Sequence, residues 1–212
     1  MKYIKLFENF KPYDPYELMM VPPNKKGEML IDEIIKKDKA NLNLVSDLIV
    51  LGANLDWQDK DGRIALHCCA IKNSPEIAKM LIDAGADISI LNNNGSTALH
   101  MCAYWNSPEI ARMLIDAGAD VNIQHNYGST ALHCCAIKNS PEIAKMLINA
   151  GADLNVQNGV GSTALYVSAM YNRPEIAKML IDAGADKTIP NNNGTLPYEL
   201  ATSQKLKKLL KP

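Results

Sequence analysis

Gly62, Gly95, Gly128, Gly161 and Gly194 stand 33 residues apart, and the letters around them travel with them. ALHCCAIKN at 65–73 returns as ALHMCAYWN at 98–106, ALHCCAIKN at 131–139 and ALYVSAMYN at 164–172. PEIAKMLIDAGAD at 75–87 returns with few changes from 108, 141 and 174. A fixed period of this size means a stacked array. Each unit is too small to bury its own apolar face and is stable only against its neighbours. The 212 residues are therefore expected to form one elongated body.

The unit beginning at Gly95 predicts helix, turn, helix. Thr97 precedes an apolar run and can cap its free N–H groups. Leu99, Cys102 and Ala103 follow at i, i+3 and i+4, a narrow buried stripe. Asn106 falls where the chain must reverse in a left-handed conformation. Ser107 is expected to cap a second helix, with Pro108 in its first position, where no N–H is needed. Ile110, Ala111, Leu114 and Ile115 bury that helix, and Gly118 ends it. Ala119 to Gly128 reads as a β-like hairpin leading into the next unit.

At the two ends the pattern decays. Residues 1–26 do not repeat. Tyr3, Ile4, Phe7 and Phe10 have helical spacing, and four prolines in KPYDPYELMMVPPNKK favour an extended path. This segment reads either as a strap over the apolar end of the stack or as a docking peptide. Residues 27–61 form an atypical N-terminal capping unit, whose first helix lies in GEMLIDEIIKK. Gly52 keeps the period to Gly85, but two extra residues separate Gly27 from Gly62. Regular repeats occupy 62–94, 95–127, 128–160 and 161–193. Residues 194–212 are a C-terminal capping unit that keeps Gly194, Pro197 and Ala201 and replaces the Thr cap with Leu196. Its lysines at 205, 207, 208 and 211 suit a solvated helix end.

A net charge of −1 offers no field for nucleic acid. No apolar run approaches the ~20 residues needed for membrane insertion. Lys5 and Glu8 interrupt what would be a signal-peptide core. The five cysteines hold repeat positions instead of a stapling pattern, which fits a reducing, intracellular and cytoplasmic setting.

His67, Cys68 and Cys69 invite a metal or thiol-catalysis reading, but consecutive helical residues point ~100° apart and cannot converge on one ion. Cys69, Cys102 and Cys135 instead form a column continued by Ser168 and Ala201, as core positions for small side chains do. His67, His100 and His133 form a second column, taken over by Tyr166 and Glu199. No catalytic, cofactor or metal site is expected, and the chain is expected not to be an enzyme.

Gly-Ser-Thr-Ala-Leu-His, two helices and Ala-Gly-Ala-Asp, repeated over 27–212, resemble the ankyrin repeat. The resemblance implies an all-α repeat solenoid with projecting hairpins. It also implies that the column histidines hydrogen-bond within and between units. Thr-Ala-Leu-His stands where the family has Thr-Pro-Leu-His, and Asn73, Asn106, Asn139 and Asn172 stand where it has Gly; both changes suit the same backbone. The family's hairpin tips and first-helix faces line a concave groove for protein partners.

Columns that vary between repeats are free for other use than stacking. These single out Trp57, Leu91, His125 and Tyr127 at the tips, and Met101, Tyr104, Trp105, Met170 and Tyr171 on first helices, as candidate protein-binding residues. Residues 65–82 and 131–148 are identical, so drift after duplication is the rival account of the differences. Exposed aromatics are enriched at binding hot spots. The expected role is a non-enzymatic, monomeric scaffold or adaptor for another protein. The alternative is a structural or tethering component attached through residues 1–26.

Overall fold

The computed structural model describes residues 15–36 and 39–211. The expected helix carrying Tyr3 to Phe10 lies outside the described residues. Thirteen helices follow among them: α1 (Pro15–Met19), α2 (Pro23–Ile35), α3 (Leu42–Val50), α4 (Ala65–Lys72), α5 (Pro75–Asp83), α6 (Ala98–Trp105), α7 (Pro108–Asp116), α8 (Ala131–Lys138), α9 (Pro141–Asn149), α10 (Ala164–Met170), α11 (Pro174–Asp182), α12 (Pro197–Leu200) and α13 (Gln204–Leu210). The even-numbered helices from α2 to α12 pack side by side in one row, and the odd-numbered helices from α3 to α13 in a second. The result is a solenoid of helix pairs.

Local chemistry sets the helix ends. Asn73, Asn106, Asn139 and Asn172 have φ of 51–62°, the left-handed region that asparagine tolerates. Their short side chains let each first helix stop after two turns and fold back. Gly118 ends α7 at φ 89° in the same region. The second helices are amphipathic as expected, with Ile110, Ala111 and Leu114 fully buried and Ile115 half-buried.

Three expectations need correction. The first helices are not buried along a narrow stripe: Ala98 and His100 are as inaccessible as Leu99, because neighbours close on both sides. No β-strand occurs among the described residues, and the connecting segments are runs of turns. Nor is residues 15–26 an extended path, since α1 occupies Pro15–Met19 and α2 starts at Pro23. A proline costs nothing at the start of a helix, and both helices use one that way.

At the N-terminal end, Leu18 of α1 is fully buried in the core. Lys26 is also buried, and its Nζ donates to the Leu51 carbonyl at 2.5 Å, at the end of α3. A Cβ at Gly27 would collide with the Asn54 carbonyl and with Trp57. Only glycine permits that crossing.

Candidate functional site

Polar side chains register one unit on the next. His67 Nδ1 accepts the Ile64 N–H at 3.2 Å, and the same bond joins His100 to Thr97 and His133 to Thr130. With Nδ1 accepting, the proton sits on Nε2, which donates to the Ser96, Ser129 and Ser162 carbonyls of the following unit at 2.9, 3.2 and 2.9 Å. Burial depresses the basicity of all three rings, that of His100 to about 4. Each is a neutral crossbrace.

Ser107 and Ser140 do not cap their own helices as the sequence suggests. Their hydroxyls donate backwards, to Ala70 O at 2.7 Å and Ala103 O at 2.9 Å, at the end of the preceding first helix. Arg173 replaces serine in the next unit and reaches Ile137 O at 3.2 Å, but its buried Nε has no partner among the described residues.

The turn tips form a ladder of their own. Asn93 N–H donates to Asp61 O, Asn126 N–H to Asn94 O, Gly159 N–H to Tyr127 O and Asn192 N–H to Val160 O, at 2.9–3.1 Å. The side chains of Asn93, Asn126 and Asn192 add bonds to the preceding tip, and Gln58, Gln124 and Gln157 to the following one. Gln58, Asn93, Gln124 and Gln157 are thus held by stacking. The recurrence of Gln at 58, 124 and 157 was the available signal.

The candidate binding residues fall into two exposed groups and a packed remainder. Trp57 is half-buried over the first capping helices, and Met101 is half-buried in the column of Cys68, Cys134 and Val167. At the tips, Leu91 and Tyr127 are exposed, Tyr127 by 75 %. The half-buried His125 ring meets Tyr127 edge-on at 5.7 Å and lies 5.7 Å from the buried His100.

The second group lies at the tails of the first helices. Trp105 is 52 % exposed, and its ring meets Tyr104 edge-on at 5.6 Å. Lys138, at the position of Trp105 one unit on, places its Nζ 3.9 Å over the Tyr104 ring. Met170 and Tyr171 are exposed at the corresponding tail of α10. One edge of the stack thus presents Lys72, Trp105, Lys138 and Tyr171 in succession. Tails and tips are separated by a first helix, ~12 Å for eight residues.

The thiols are poorly placed for chemistry. All five cysteines are buried and unpaired, and burial pushes Cys68 and Cys134 up to about 12 and raises Cys69, Cys102 and Cys135 as well. Such groups stay protonated and are weak nucleophiles. No cluster of three potential metal ligands occurs among the described residues, and no helix there is long and apolar enough to cross a membrane. An open cleft of about 410 Å³ between α7 and α9 lies on the second-helix face and mixes charged side chains, Arg112, Glu142 and Lys145 among them, with apolar ones such as Ile115 and Met146.

A family model for ankyrin repeats (3 copies) matches residues 34–125 and 118–191, together well over half of the chain. A search of curated proteins returned no match.

Proposed function

Because the chain belongs to the ankyrin repeat family, whose repeats are in general protein–protein interaction modules, we propose that it is a non-enzymatic scaffold or adaptor that binds a protein partner through its first-helix tails and turn tips. The observation that carries the proposal is the Tyr104–Trp105 pair. Two large aromatic side chains are held outward, at positions where the units on either side place Ile71 and Lys72 or Ile137 and Lys138 in the same backbone. Stacking does not require them, and exposed tryptophan beside tyrosine is the composition of a binding hot spot. Met170 and Tyr171 extend the surface two units on, ~16–20 Å away at the spacing of packed helices. Leu91, His125 and Tyr127 form its second edge at the tips. Trp57 and Met101 serve packing.

Leu18, buried in the core from α1, supports reading the segment before α2 as a strap over the apolar end of the array, which stacked repeats need; Lys26 belongs to α2 itself. A photo-crosslinking side chain placed at position 105 is expected to capture the partner, and the same group at Arg112, on the opposite face, is not. Equal capture from both positions, or capture from 112 alone, would move the interface to the second helices.

A further inference from the structure

Three Asn–Gly pairs sit in the turns: Asn94–Gly95, Asn158–Gly159 and Asn193–Gly194. Such a pair is chemically vulnerable because glycine has no Cβ to keep its backbone nitrogen away from the preceding side-chain carbonyl. The tip ladder treats the three pairs differently. Asn158 Oδ1 accepts from the Val160 and Ser162 N–H groups at 3.1 and 3.0 Å, and Gly159 N–H donates to Tyr127 O at 2.9 Å. Both reacting groups are therefore engaged. Asn94–Gly95 is clamped by the next tip: Asn126 N–H donates to Asn94 O at 3.0 Å, and the Asn126 side chain fills the space a Cβ on Gly95 would need.

Asn193–Gly194 holds the same turn position as Asn94–Gly95, but no tip is stacked on it among the described residues. A Cβ built on Gly194 would meet nothing within 4 Å. Asn193 is exposed, and its carbonyl accepts no hydrogen bond among the described residues. Among the described residues only the turn's own bonds hold the pair: Gly194 N–H to Asn191 O at 2.9 Å and Asn193 N–H to Asn191 Oδ1 at 3.0 Å.

We propose that Asn193–Gly194, which no described tip covers, is a site of spontaneous deamidation, and that stacking of the tips protects Asn94 and Asn158 from the same reaction. The Gly194 amide nitrogen gives its proton to solvent base and attacks Asn193 Cγ. The Cγ–Nδ2 bond breaks, and Nδ2 takes a proton from water and leaves as ammonia. Water then opens the five-membered imide at either carbonyl, giving aspartate or isoaspartate. Both products carry a new negative charge; isoaspartate also lengthens the backbone and breaks the turn.

The test is incubation of the folded full-length chain in mildly alkaline buffer, with peptide mapping by mass spectrometry and enzymatic isoaspartate labelling. Conversion at Asn193 is expected to be about tenfold or more faster than at Asn94 or Asn158, since local opening differs that much between held and unheld segments. In the urea-unfolded chain Asn94 and Asn193 should convert alike. Asn126→Ala, which unclamps Gly95, should raise the rate at Asn94 and leave Asn193 unchanged. Equal rates at Asn94 and Asn193 in the folded chain would overturn the proposal. So would an inert Asn193, or an Asn94 indifferent to Asn126→Ala.

Discussion

Ser140→Ala isolates a contact whose ends lie 37 residues apart. The Ser140 hydroxyl donates to Ala103 O at 2.9 Å, and both residues are fully buried. Ala103 O has no second donor among the described residues, because Ser107 N–H, which would close the helical bond, turns to Cys102 O. Removing the hydroxyl leaves a buried carbonyl unpaired, at a cost of about 1–3 kcal/mol. For a chain of this length each kcal/mol lowers Tm by about 2–4 °C. Ser74→Ala is the internal control: Ser74 precedes α5 as Ser140 precedes α9, but it is half-buried and makes no hydrogen bond to the preceding unit among the described residues. Urea and thermal melts should show a clear loss for Ser140→Ala and a change within about 0.5 kcal/mol for Ser74→Ala. Equal losses would mean that both serines act locally, as caps, and would refute the inter-unit role.

Three further outcomes follow from the same structure. Arg173→Ser restores the serine of this column and removes a buried Nε without a partner, so urea melts should show a gain of about 1 kcal/mol. Ile64 stands in the Thr cap position but is 1 % exposed within the core; the cap gained by Ile64→Thr is offset by lost apolar burial at ~0.8 kcal/mol per methylene, and Tm should not rise. His100 titrates at about 4 when folded against 6.5 as its ordinary value, so the unfolded chain binds the extra proton in that window. Stability is complete above pH 6.5 and falls toward pH 4, by about 3 kcal/mol from His100 alone, with His67 and His133 acting in the same direction; denaturant midpoints measured across this range check it.

The period, the left-handed asparagines and the second-helix faces were legible because each is a local signal repeated four times. What escaped were contacts between units. Ser107 looks like a cap because a cap's partner is three residues away, whereas its actual acceptor, Ala70, is 37 residues away. One acceptor of the Gln124 side chain, the Gln157 carbonyl, lies in the next tip, 33 residues on. Trp57 looks exposed until α2 crosses it at Gly27, a crossing announced only by a glycine at the degraded end of the pattern. The tail cluster was found because it departs from its columns. Its Lys138–Tyr104 contact joins adjacent units and could not be read from either alone.

The aromatic edge serves either binding or stacking, and Trp105→Lys separates the two most directly. Lysine already occupies this position at Lys72 and Lys138, so the variant should melt within about 2 °C of the parent. Its affinity for the partner, measured by titration calorimetry, should fall by about thirtyfold or more, the ~2 kcal/mol of a hot-spot residue. A collapse in Tm would make Trp105 a packing residue, and an unchanged affinity in a stable variant would contradict the proposed surface.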